Sequence, residues 1–277
     1  MLNKVLKKTA ARALAHATDR PALRRLLFNA LRLRRSEIMA PRQQDAIRFL
    51  GYVFDRLDKS RSQILQDLWV CYELGDQRDG FFVEFGATNG LTNSNSWLLE
   101  KQFGWNGILA EPNPLWHDDL YSNRGCIIDK RCVFSSSGES LSFVATEDPE
   151  LAGIAVTAEH DHFAAIRRAA PSFEVATISL NDLLEEHRAP AVIDYMSIDT
   201  EGSELAILQA FDFERWRVRL LSVEHSHSPQ EAKIDALLAA KGFRRKFPEY
   251  SQWDGWYVRG EGAHQAARSL SVATSDR

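Results

Sequence analysis

The sequence lacks several features that would point directly to a function. It has three cysteines in 277 residues, Cys71, Cys126 and Cys132. An odd number with no CxxC pair excludes a disulfide framework and a zinc knuckle; reduced thiols in a cytoplasmic protein are the expectation. No apolar run approaches the ~18–20 residues of a membrane span, and the N-terminus shows no apolar core of roughly 7–15 residues, so no secretion signal is expected. There is no G-x-G-x-x-G, the tight phosphate-gripping turn of dinucleotide enzymes. No internal repeat or low-complexity tract interrupts the chain. Charge of one sign is scarce too: the net charge is −4, and 26% charged with 44% hydrophobic residues is ordinary for a globular protein. Bulk charge therefore names no partner, and nothing in it asks for nucleic acid.

The charge is unevenly placed. Residues 1–44 carry 11 Lys and Arg against 2 acids, leaving 23 basic and 36 acidic residues for the rest. A basic arm precedes an acidic body. The arm reads as helical over residues 2–35, with Leu23, Leu26, Leu27, Ala30 and Leu31 on one face and Arg24, Arg25, Arg32 and Arg35 away from it. Such a helix can lie peripherally on an anionic membrane or pack on its own domain. Residues 45–260 read as one domain with its own N-terminal helices, and residues 261–277 as a loose tail.

Within that domain β and α signals alternate. "GFFVEFG", "NGILAEP", "CIID", "AVIDYMSID" and "VRLLSVE" are strands, most followed by a helical stretch. "ESLSFVAT" alternates as an exposed strand would, "FEVATISLNDLLEEH" runs from strand to helix, and "FRRKFPEY" with "WDGWYVRG" forms an antiparallel pair. The stretch holding His160 and His162 has no clear assignment and reads as surface or lid. This order implies an α/β fold, with a mostly parallel sheet between helices and a ligand site beyond the C-terminal strand ends.

The strand ends carry the chemistry. Glu84, Gly86 and Gly90 form E-x-G-x-x-x-G after the first strand. The glycines permit either close backbone approach to a ligand or a plain structural turn. An acid in such a loop disfavours phosphate and favours a cation, and S-adenosylmethionine carries two positive centres and no phosphate. Glu111 ends the second strand, 27 residues after Glu84, where an acid can take both hydroxyls of a ribose. Asp199 and Glu201 stand at the mouth of a buried strand, where mutual repulsion can raise one pKa and make a general base or a divalent-cation site. Glu204 reads as a helix-dipole partner. Glu224, His225 and His227 reach the same rim; a histidine there can take a proton, and the pair alone is too little to assign a metal. Trp97, Trp105, Trp116, Trp253 and Trp256 suit either sugar stacking or core packing.

Taken together, "SQILQDLWV", "GFFVEFGATNGLTNSNSWLLEKQFGWNGILAEPNP", "ATISLNDLL" and "SIDTEGSELAILQAF" resemble the FkbM-type S-adenosylmethionine-dependent methyltransferases over roughly residues 60–258. The resemblance implies a class I methyltransferase, Rossmann-like fold: a seven-stranded, mostly parallel sheet with an antiparallel last strand. It implies that Glu84, Gly86, Asn89 and Gly90 line the methionine end of the cofactor. Glu111 would hold the ribose, and Asp129 and Cys132, in the segment after the third strand, would border the adenine. Asp199 and Glu201 match the acidic motif beside the transferred methyl. The expected activity is O-methylation of a sugar, glycan or similar natural product, with Asp199 as first choice of base and Glu201 and His225 next. A divalent cation at Asp199 stays open as an alternative. The rivals are a binding module on the same fold and a nucleotide-sugar or NAD-linked enzyme.

Overall fold

A computed structural model describes residues 41–144 and 172–260, the short strand at 153–154, and positions 21, 25 and 29, which are helical. The rest of the expected basic helix, His160 and His162, and the tail from residue 261 lie outside the described residues. The chain forms two compact units, Met1–Asp55 and Arg56–Arg277. In the first, α1 spans Pro41–Phe54 and opens on a proline, whose missing N–H a first turn does not need. No described helix is long and apolar enough to cross a membrane.

The second unit begins with α2, Gln66–Glu73, and then alternates. Its elements are β1 Phe81–Phe85, α3 Trp97–Phe103, β2 Asn106–Ala110, α4 His117–Asn123 and β3 Ile127–Asp129. They continue as β4 Cys132–Phe134, β5 Ser140–Val144, β6 Gly153–Ile154, β7 Ser172–Ser179, α5 Leu180–Glu186, β8 Val192–Ile198, α6 Glu204–Ala210, β9 Arg217–Glu224, α7 Glu231–Ala240, β10 Phe243–Lys246 and β11 Asp254–Arg259. The main sheet has seven strands in the order β10-β11-β9-β8-β1-β2-β3. Its pairs are parallel except at β11, which runs antiparallel to both β9 and β10. This is the sheet expected from the sequence. The strands read as near-continuous apolar runs because the sheet is covered on both faces. Val83, Ile108, Ile193, Met196, Ile198, Val218 and Leu221 are all buried in one core.

A second sheet, β4-β7-β5-β6, had no counterpart in the sequence reading. It pairs β4 with β7 in parallel and β5 with both β7 and β6 antiparallel. "ESLSFVAT" and "FEVATIS" pair here, not in the main sheet. Helix α5 is held by a reciprocal cap, in which the Ser179 hydroxyl accepts from the Asp182 amide at 3.1 Å and donates to the Asp182 carboxylate at 2.8 Å.

Strand order reverses between β1 and β8, so their C-terminal ends border a crevice. In register across the sheet there lie Leu109, Glu84, Ser197, Ser222 and Trp256. Cross-strand partners share a face, so a polar row of Glu84, Ser197 and Ser222 crosses the middle of the sheet. Trp69 of α2 packs over it, stacked on Trp256 at 5.1 Å and edge-on to Tyr195 at 6.4 Å.

Candidate active site

The loop between β1 and α3 is built around Glu84. Its buried carboxylate accepts from the Asn95 amide at 2.7 Å and from the hydroxyls of Ser94 and Ser96. Arg124, whose side chain is wholly buried, balances the charge with Nη1 3.8 Å away. The same guanidinium donates to Glu100 at 2.6 Å, to Ser94 Oγ at 3.1 Å, to Ser96 Oγ at 2.8 Å and to the Gly90 carbonyl at 3.3 Å. Sequence reasoning missed Arg124 altogether. Asn89 closes a local turn by accepting from the amides of Leu91 and Thr92 at 3.0 and 2.8 Å.

Both glycines have concrete steric reasons. Gly86 has φ +69°, and a Cβ there would run into the backbone carbonyl of Asp199. Gly90 has φ +70°, and its Cβ would meet Leu120 Cδ1 and Arg124 Cγ at 2.6 Å each. The first glycine joins the ends of β1 and β8; the second lets the loop settle on α4.

Glu111 follows β2 and is buried. One carboxylate oxygen accepts from the Thr88 amide at 2.8 Å and the other from the Asn113 amide at 2.7 Å. Burial pushes its pKa up to about 7 despite these two bonds. Asp129, at the end of β3, is gripped by Arg131 at 2.6 and 3.0 Å and by His187 at 2.8 Å. Burial works against its charge, but these partners hold its carboxyl below the usual range. Cys132 is buried in β4; burial, with Glu111 nearby, pushes its thiol up to about 12, so it stays neutral.

The rim beyond β8 and β9 is acidic. Asp199, Glu201 and Glu224 bring carboxylate oxygens within 4.8 Å of one another. Asp199 keeps some exposure at the rim, yet the enclosing protein, the charges of Glu224 and Glu201 and a hydrogen bond with Glu224 push its carboxyl well above the ordinary value. Behind them, Glu204 accepts from the Thr200 and Gly202 amides at 3.0 Å each, so it ties down the loop before its helix. Asp254 accepts from Gln66 Nε2 at 2.9 Å. Burial, and Glu224 beside both, raise Glu204 and Asp254 to about 7. Asp254 gave no signal in the sequence.

His225 is buried: its Nδ1 accepts from the His227 amide at 3.1 Å, and its Nε2 lies 3.0 Å from Arg245 Nη2 and 3.5 Å from Glu231 Oε1. Burial, then Arg245 and His227, lower its pKa and keep the ring neutral. His225, His227 and Glu231 also come within metal-binding reach of one another, but Arg245 donates to Glu231 at 2.7 Å, and its positive charge opposes a cation there. Of the tryptophans, Trp69, Trp105, Trp216 and Trp256 are buried core residues.

A seven-stranded sheet with an antiparallel β11, a glycine loop after β1 and acids after β2 and β8 define a class I S-adenosylmethionine-dependent methyltransferase. Residues 84–245 match the family model described as the methyltransferase FkbM domain. The match spans more than half of the sequence, and the chain belongs to the FkbM methyltransferase family. The methyltransferase sdnD of Sordaria araneosa is similar, at 27% identity over 205 residues, 62% of this chain and 77% of that protein. Among solved structures, the N-terminal domain of human METTL16 aligns with a TM-score of 0.38 at 13% identity, over 69% of this chain and 66% of that one. A precorrin-6y C5,15-methyltransferase from Geobacter metallireducens aligns at 0.37 and 12%, over 69% and 85%.

Proposed function

We propose that this methyltransferase acts on a hydroxyl oxygen, that of a sugar, glycan or related natural product. One observation carries the reading. The loop amides a phosphate would need are already held by carboxylates, at Asn95 by Glu84, at Thr88 and Asn113 by Glu111, and at Thr200 and Gly202 by Glu204. The same loops open onto a rim of three acids. That arrangement suits a cationic methyl donor and a proton-releasing acceptor, and it speaks against a nucleotide-sugar or NAD-linked enzyme. A pure binding module would gain nothing from three carboxylates crowded at its mouth.

S-adenosylmethionine, when bound, supplies an electrophilic methyl on a positively charged sulfur. In this reading Gly86, Asn89 and Gly90 shape the loop around its methionine end, Glu111 takes the ribose hydroxyls, and the segment of Asp129 and Cys132 borders the adenine. Glu111 fits because each of its oxygens has given only one lone pair to an amide, leaving others for hydroxyl donors. Asp199 accepts the proton of the acceptor hydroxyl, a step worth typically ~10²–10⁴-fold. Asp199 does so in its ionised form, and burial with the neighbouring charges of Glu224 and Glu201, which oppose that ionisation, makes it the stronger base. Glu201 orients the hydroxyl. His225, buried, with its Nδ1 engaged by the His227 amide and its pKa lowered by burial, is the weaker base. A divalent cation among Asp199, Glu201 and Glu224 would instead lower the pKa of the hydroxyl; methyl transfer that survives chelation assigns the proton to the carboxylates.

The test is incubation with labelled methyl donor and lipid-linked or nucleotide-linked sugars. Asp199→Asn should lower turnover by ~10²-fold or more with affinity for S-adenosylhomocysteine retained. Full turnover in that variant refutes the role of Asp199, and label found only on nitrogen or carbon refutes the hydroxyl acceptor. The basic arm, in this reading, rests on anionic lipid in the cytoplasm, near lipid-linked acceptors; failure to float with anionic vesicles removes that part.

A further inference from the structure

The polar row between β1 and β8 contains one group that the rest of the site does not use. Asn95 is only 7% exposed. Its backbone amide is committed to Glu84 at 2.7 Å, and its side-chain Nδ2 donates to Ser197 Oγ at 2.9 Å. Its Oδ1 has no hydrogen-bond partner, although the atom is buried. An unpaired buried carbonyl is costly, and native structures keep few of them. Exchanging the amide's O and N would only move the unpaired end.

Its position limits what the orphan can serve. Glu84 and Ser197 are in-register neighbours on β1 and β8, the two strands that flank the crevice. Two residues beyond each stand Gly86 and Asp199, where the glycine lies against the Asp199 carbonyl. Through Ser197, Asn95 therefore places an unpaired acceptor beside the β1–β8 switch point. Its nearest acid is the buried Glu84 carboxylate, which takes the Asn95 amide and is balanced by Arg124 at 3.8 Å. An unpaired carbonyl calls for a donor, and an ammonium, with three N–H bonds and no acceptor, is one that asks nothing in return.

We propose that Asn95 Oδ1 receives the α-ammonium of bound S-adenosylmethionine and so is a binding residue for the amino-acid end of the cofactor. This rests on the methyltransferase reading of the crevice. It predicts a contact that distinguishes the amino-acid end of the ligand from its nucleoside end. S-adenosylhomocysteine has both ends; 5′-methylthioadenosine has the nucleoside and sulfur without the amino acid.

Calorimetric titration of the full chain with both compounds tests it. Asn95→Ala should weaken S-adenosylhomocysteine at least about tenfold, the loss expected for one hydrogen bond to a charged donor, and leave 5′-methylthioadenosine unchanged. Asn95→Asp keeps an acceptor and adds a charge, so it should bind S-adenosylhomocysteine as tightly as the parent or tighter. Equal losses for both ligands would mean that Asn95 only supports the loop through Ser197, and no loss for either would mean that the ligand does not touch it; both overturn the proposal. Should Asn95→Ala fail to fold, Asn95→Asp decides alone, because weaker S-adenosylhomocysteine binding in a folded Asn95→Asp protein contradicts an ammonium contact. A parent protein that binds neither compound removes the cofactor reading itself, an outcome distinct from the failure of Asn95.

Discussion

Gly86→Ala separates two explanations of the glycine loop. If the glycine exists to let a ligand approach, alanine should cost affinity while leaving the ligand-free protein as stable as before. The structure gives a different reason. Gly86 has φ +69°, and the added Cβ would strike the backbone carbonyl of Asp199. A left-handed conformation costs an L-residue about 1–2 kcal/mol. The clash adds about 1–3 kcal/mol, as overpacking does in a filled core, because a strand-end carbonyl cannot swing aside as a side-chain tip can. The total of about 2–5 kcal/mol corresponds to a fall in melting temperature of roughly 4–20 °C for a unit of this size. Urea unfolding of the ligand-free protein at 25 °C is the assay. Gly125→Ala is the control, since its Cβ would meet only Glu100 Oε1 at an ordinary 3.6 Å, and its effect should stay within about 0.5 kcal/mol. A Gly86→Ala protein that unfolds at the same urea concentration as the parent would refute the steric account.

Two further predictions follow from the buried charges. Arg124→Ala leaves Glu84 and Glu100 without their shared cation and should cost about 3–5 kcal/mol in urea unfolding; Arg124→Lys restores the charge but not the fork of donors, so it should recover only part of that loss, and full recovery would count against the fork. Stability should fall as pH rises from about 4.5 to about 7, because Glu111, Glu204 and Asp254 titrate near 7 in the folded state and near 4 when unfolded, so the native state holds more protons in that window. On the acid side the sign reverses: burial opposes the charge of Glu100, but Lys101 and Arg124 hold it at about 2, and its contribution is lost as pH drops below about 4.5. Thermal melts across pH 4–8 check both limbs, and a melting temperature that climbs from pH 5 to pH 8 would contradict the burial of the three acids.

The main sheet was legible because its strands are buried on both faces and its helices carry ordinary start and stop signals. "AVIDYMSID" could scarcely be anything but a central strand, and Gly104 ends α3 in the left-handed conformation that glycine permits. The second sheet was not legible, since β4 has three residues and β6 two, too few to show a period. The places of Glu111 and Asp199, next after β2 and β8, were readable because each follows an apolar run. Those defined by remote partners were not. Nothing near Arg124 in sequence reveals Glu84, 40 residues earlier, or Glu100, 24 residues earlier. Asp254 meets Gln66 across 188 residues. Ser96 precedes the apolar helix α3, yet it sends its hydroxyl to Glu84 and not to the helix.

The acids in the loops also explain how this fold can hold a nucleoside without gripping phosphate. In a dinucleotide site the loop amides stay open and wait for the ligand's charge. Here Glu84, Glu111 and Glu204 occupy them in advance, so the loops are fixed before any ligand arrives and only acceptor capacity remains. That choice has an energetic consequence: burying the carboxylates raises Glu111 and Glu204 toward neutrality, and a ligand that brings donors or positive charge relieves the strain. A ligand that brings negative charge would add to it. Selectivity between a sulfonium cofactor and a pyrophosphate one therefore need not come from the shape of the glycine turn. It follows from which partner the loop amides already have.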